Sequence, residues 1–181
     1  MIKDLVKPVG VINPGNGGGL GCEFYFAPKS FLSTQPVRDA LAKTKVSVDL
    51  AFSTGNRLIK IYSTKGKTEL NCKKAKGDNA DCFGYNVSVK GSRPGIDEDG
   101  LAFLHEYDNV DGYIIAVNKS ANGMATQYIL GTDANPISLS DFECAIGAEV
   151  TNSTHIAPVF ECVQELPMGI YTGALQLEPA V

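Results

Sequence analysis

The chain has 181 residues, of which 44% are hydrophobic and 20% charged, and a formal net charge of −4. This is the composition of a folded globular domain large enough to bury a core without staples, not of a disordered chain. The mild acidity, with both signs mixed along the chain, argues against a protein that works by gripping nucleic-acid phosphates. No apolar stretch nears the roughly 18 residues of a membrane-spanning helix.

Residues 1–21 read as a flexible N-terminal arm ahead of a single β-rich domain over 22–181. Six of the nine residues in NPGNGGGLG, 13–21, are Gly or Pro. The opening MIKDLVKPVGVINPG holds no apolar core of signal-peptide length, so no export is expected. Residues 22–27 (CEFYFA) then read as a strand, and a short helix or turn is expected after Pro28, over 29–34.

In 45–52 (KVSVDLAF), Val46, Val48, Leu50 and Phe52 share one face, the period-2 pattern of a half-buried strand. Residues 53–56 (STGN) are expected to form a hairpin loop, with 57–63 (RLIKIYS) as the return strand. A weaker strand at 69–72 precedes a polar loop, KKAKGDNAD, over 73–81. Residues 83–90 (FGYNVSVK) alternate again, and GSRPG at 91–95 ends that strand because Pro cannot donate to a ladder.

One helix is predicted over about 97–108. Asp97 can cap it, Glu98 and Asp99 place negative charge on its first turn, and Leu101, Leu104 and Tyr107 or Asp108 follow at helical spacing. Residues 112–118 (GYIIAVN) are the most apolar strand and are expected at the centre of a sheet. They turn at 119–123 into a return strand at 125–130. Further strands are predicted at 137–143, around 145–151, at 156–163 and at 174–178. The sum is a mainly β fold, a β-sandwich or barrel of eight to ten short strands with one packed helix.

Several motifs invite chemistry and fail it on spacing. A dinucleotide fingerprint needs Gly at i, i+2 and i+5 before a helix. The three available registers put Leu20, Cys22 or Phe24 in the last place, and a strand follows. Gly66-Lys67-Thr68 lacks the Gly of a P-loop five residues earlier, where Ile61 stands. Asp97-Glu98-Asp99-Gly100 lacks the third early ligand of a calcium loop and has Asp108 where the bidentate Glu belongs. The two histidines, His105 and His155, lie in no metal-ligand spacing, and no Gly-x-Ser-x-Gly elbow is present.

Five cysteines, Cys22, Cys72, Cys82, Cys144 and Cys162, make no Cys-x-x-Cys pair and read as reduced. The one pairing worth testing is Cys72 with Cys82 across a hairpin. Lys73, Lys74 and Lys76 read as a solvated loop tip. The sequons at Asn86, Asn118 and Asn152 read as chance matches in a chain without a secretory signal. No enzyme, catalytic residue, cofactor site or metal site is expected. What remains is a structural or binding protein, whose sheet edges suit pairing between copies.

Four segments carry a family resemblance: CEFYFAPKSFLSTQP (22–36), FGYNVSVKGSRPG (83–95), DGYIIAVNKSANGMATQYILGTDANPISL (111–139) and GIYTGALQL (169–177). Together they resemble virion structural proteins of the tail-tube type, carried by phages and prophages of Bacteroidetes-like bacteria. The resemblance lies mainly over 83–173 and rests on turn residues and hydrophobic alternation. It implies hexameric rings stacked into a tube, assembled in the bacterial cytoplasm, with other tail proteins as partners and genomic DNA as passing cargo. A weakly acidic lumen suits that cargo, because cations would hold the phosphates. The arm and the loops at 66–81 and 91–98 are then the expected contacts between subunits, with Asn16, Gly17, Lys67, Lys73, Lys74, Arg93 and Asp97 as candidate interface residues. The alternatives are a connector ring, a head-decoration protein or a β-sandwich module that binds a ligand or carbohydrate.

Overall fold

The structure is a computed structural model and describes residues 20–76, 83–119, 125–147 and 154–181. In chain order, β1 (Leu20–Pro28) leads through one 3-10 turn (Lys29–Phe31) to β2 (Leu32–Thr34), β3 (Val37–Arg38), β4 (Val46–Val48) and β5 (Ala51–Phe52). Next come β6 (Ile59–Tyr62), β7 (Glu69–Lys76), β8 (Phe83–Lys90), β9 (Arg93–Pro94) and the helix α1 (Glu98–Tyr107). The chain continues through β10 (Gly112–Lys119), β11 (Ala125–Leu130), β12 (Ser138–Ala145), β13 (His155–Gln164) and β14 (Gly169–Tyr171). The fold is mainly β, with strands in several antiparallel sheets and a single helix among the described residues.

Two apolar runs that do not alternate, FYFA in β1 and YIIA in β10, lie side by side in the larger sheet, whose order is β14-β11-β10-β1-β6. Both faces of this sheet are covered, which is why alternation is lost. Phe24, Phe26, Ile114 and Ala116 face one core, and Tyr25, Ala27, Tyr113 and Ile115 face the other. β10 takes the central place expected of it.

The second sheet, β12-β13-β8-β7, packs over the first core and keeps its alternation, since only one face is buried. Val87 and Val89 of β8 and Ile156 and Phe160 of β13 point inward, while Glu161 and Val163 point out. The helix α1 closes this core with Phe103, Leu104 and Tyr107. Leu101, expected on that face, is 49% exposed, and Phe103 takes its place. Gly100 lies so close to Ile156 that a Cβ would meet its Cδ1 at 2.5 Å, so the residue that weakens the helix also lets it pack.

The second core is roofed by short pieces, which is where the sequence-based expectations need correction. Residues 45–52 do not form one strand: β4 pairs with β3, and β5 pairs with β2. Residues 53–56 therefore turn between elements of different sheets rather than closing a hairpin, and β6 pairs with β1 instead. The predicted strand at 174–178 is absent. That segment crosses the roof instead, accepting from Leu58 N at Gln176 O and exchanging bonds with Gly55 and Asn56 through Ala180. β14, at 169–171, is the strand that pairs with β11. The strands number more than eight to ten because six of them are short: β3, β5 and β9 hold two residues each, and β2, β4 and β14 three. The arm up to residue 19, the tip at 120–124, the loop at 77–82 and the strand expected to run to 151 lie outside the described residues.

Candidate assembly surfaces

The approach to β7 starts with a turn at 64–67. Lys67 N donates to Thr64 O at 2.9 Å, and Gly66 supplies φ +74°, a left-handed conformation that favours glycine. Lys67 is exposed beside that turn. The eight residues of β7 then pair along their whole length with β8, from Glu69 opposite Lys90 to Lys76 opposite Phe83. The basic cluster read as a loop tip is thus the far half of a strand. Lys73, Lys74 and Lys76 extend the β ladder because the hairpin register continues past Cys72, opposite Val87.

The other side of β7 has no strand partner among the described residues. Lys73, Lys74 and Lys76 are exposed there, and Lys74 Nζ sits 5.0 Å from the ring centroid of Phe83, itself 60% exposed. This edge is basic, with a partly solvated aromatic ring at its end.

At the opposite margin of the same sheet, β12 pairs with β13 on one side. On its other side Leu139 meets Asp108, and Ile137, just before the strand, meets Gly112, each in an isolated bridge. A bulge between Leu139 and Asp141 then turns the strand away. From Asp141 to Ala145 this edge also lacks a strand partner among the described residues. It exposes Asp141, Phe142, Glu143 and Cys144, with Ile146 just beyond. Sequence reasoning placed a strand here but did not single out its edge, for which the signal was the Asp-x-Glu alternation around Phe142.

Arg93 belongs to the inside of the subunit, whereas its partner Asp97 lies on the surface. The Arg93 side chain is 3% exposed, and its Nη2 meets Asp97 Oδ2 at 2.5 Å. Asp97 Oδ1 accepts from Gly100 N at 2.8 Å, the N-cap bond predicted for this helix. The Arg93 hydrogen bond, followed by the Gly100 N–H, holds the Asp97 carboxyl below its ordinary range. Asn16 and Gly17 lie outside the described residues; of the other candidate interface residues Lys67, Lys73, Lys74 and Asp97 fall on an exposed surface, and Arg93 is buried.

A cavity of about 350 Å³ opens beside the second core, lined in part by Arg38, Val46, Ile129, Thr132, Asp133 and Glu165. The Arg38 guanidinium donates to Pro167 O and Lys43 O and lies against Gly169. Asp133 pairs with Lys29 at 2.8 Å. The lining holds no aromatic ring of the kind on which a sugar stacks.

Cys72, Cys144 and Cys162 carry free thiols, and Cys82, the partner considered for Cys72, lies outside the described residues. Burial pushes the Cys162 thiol up to about 11, which keeps it protonated and unreactive. His105 is exposed on α1 and His155 is half-buried at the start of β13. Among the described residues no three His, Cys, Asp or Glu side chains gather as a metal site, and no helix is long and apolar enough to cross a membrane. No family model, curated protein or solved structure matches this chain.

Proposed function

We propose that this protein is a non-enzymatic virion structural subunit that assembles with copies of itself, as a tail tube protein does, into stacked rings around a channel for passing DNA. One observation carries the reading. A sheet packed on one face ends in two solvent-facing edges, the outer side of β7 and that of β12 from Asp141 to Ala145, along which no further strand pairs among the described residues. An open edge presents unpaired N–H and C=O groups and templates another chain, and a closed ring of copies removes it. The sequence resemblance to tail-tube proteins supplies the virion context, with other tail proteins as neighbours.

Light scattering coupled to size exclusion, followed by negative-stain imaging of the purified chain, tests this reading. Rings or tubes are the expected result. A chain that stays monomeric at high concentration, or that turns over a small substrate, overturns it.

A second reading, a ligand-binding β-sandwich module, is favoured by the 350 Å³ cavity around Arg38. It predicts a monomer whose melting temperature rises with a bound small molecule.

A further inference from the structure

The two open edges of the smaller sheet are chemically opposite. We infer that β7 of one copy pairs antiparallel with β12 of the next, so that the basic edge lies on the acidic one. This inference rests on the self-assembly reading and names the surfaces that carry it.

Strand direction allows the repeat without inversion. Each neighbouring pair in β12-β13-β8-β7 is antiparallel, so β12 and β7 run in opposite directions. A copy added in the same orientation therefore brings its β12 antiparallel to β7, and the addition can continue head to tail. The alternatives are disfavoured by charge: β7 on β7 sets lysines against lysines, and β12 on β12 sets acids against acids.

Side-chain faces agree as well. Asp141 and Glu143 oppose Val159 and Ala157, and Lys73 lies in the row of Asn86 and Val163. All three thus stand on the outer face, because residues two apart along β13 share a face. Phe142 and Lys74 stand together on the other face.

The register follows from where each edge is open. Without a stagger, Asp141 of the added copy would meet Glu69, since both belong to the row through Val159 and Lys90. Sliding the copy until Glu143 faces Lys73 brings 141–145 against 71–75, the open part of each edge. Lys74 then faces Phe142, an aromatic ring of the kind it already covers in Phe83. Cys72 faces Cys144. The slide is about six residues, roughly 20 Å along the strands for every roughly 19 Å across four strands. That tilts the strands by about 45°, within reach of the tilt that closed barrels adopt.

The experiment compares the full chain with Lys73→Glu, Glu143→Lys and the chain carrying both changes. Sedimentation velocity reads association, and diamide, which takes two electrons and two protons from an adjacent thiol pair, reads register. Both residues are exposed, so an unchanged melting temperature is expected in dilute solution. Each single reversal should weaken association by roughly tenfold, the double reversal should restore it, and diamide should join Cys72 of one copy to Cys144 of another. If the unaltered chain associates but ignores both reversals, or crosslinks Cys72 to Cys72, the edge pairing is wrong while self-assembly stands. If the unaltered chain never associates, both readings fall.

Discussion

The ring of Phe26 in β1 lies 5.2 Å from the ring of Phe160 in β13, tilted by 42°, and so ties the two sheets together. Phe160 also meets Phe24 edge-on at 6.1 Å. Such contacts add to the burial of two large apolar groups, both fully enclosed. Phe160→Ala should therefore cost about 3–5 kcal/mol in urea denaturation, whereas Phe83→Ala, on the open edge, should stay within about 0.5 kcal/mol in the monomer. Equal losses at the two sites would show that the sandwich is not held where the rings meet.

The helix cap gives a pH signature. Asp97 has its folded carboxyl held low, chiefly by Arg93, so its stabilising effect is present above the unfolded value near 4 and is lost as pH falls through the folded value. Asp97→Ala should cost roughly 1–3 kcal/mol at pH 7, and Asp97→Asn less, because the amide oxygen still caps Gly100 N. Denaturation at pH 7 and pH 3 should show the gap between the native chain and Asp97→Asn closing at the lower pH. A gap independent of pH would mean that the charge plays no part.

Gly112 is required by close approach. A Cβ there would meet Ala27 O and Phe26 Cε2, each at 2.5 Å, where β10 starts opposite the end of β1. Gly112→Ala should destabilise by roughly 2–3 kcal/mol through overpacking. Gly55→Ala meets nothing within 4 Å and strains only the backbone at φ +83°, about 1 kcal/mol. Thermal melts of the two variants should rank in that order.

Alkaline pH should act through two buried tyrosines. Burial first, and then Glu23 for Tyr25 and Asp133 for Tyr113, pushes each hydroxyl up to about 12. The unfolded chain releases these protons near pH 10 and the folded chain does not. Stability is thus full below pH 10 and falls as pH rises toward 12. The Tyr113 hydroxyl is buried without a hydrogen-bond partner among the described residues, so Tyr113→Phe should hold or gain up to about 1 kcal/mol at pH 7. It should also lose less stability than the native chain between pH 10 and 12, read by fluorescence-monitored unfolding. A variant that follows the native alkaline curve would show that Tyr113 carries no part of it.

The order along the chain settles local matters. Val87 and Val89 alternate with polar residues and so lie on a one-sided sheet; FYFA and YIIA do not alternate and so are covered on both faces. Asp97 followed by acids starts the helix where a cap and a dipole favour it. These properties depend on neighbours a few residues away. Partner choice does not: 45–52 has the alternation of one strand, and its Val46, Leu50 and Phe52 all face the second core, yet it splits, β4 pairing with β3 and β5 with β2. The lysines of β7 and the acids of β12 are visible as charges in the sequence, but being at an edge belongs to the order of strands in a sheet. Only the tertiary structure places 69–76 and 138–145 at opposite margins, since that order is set by which faces must be buried together.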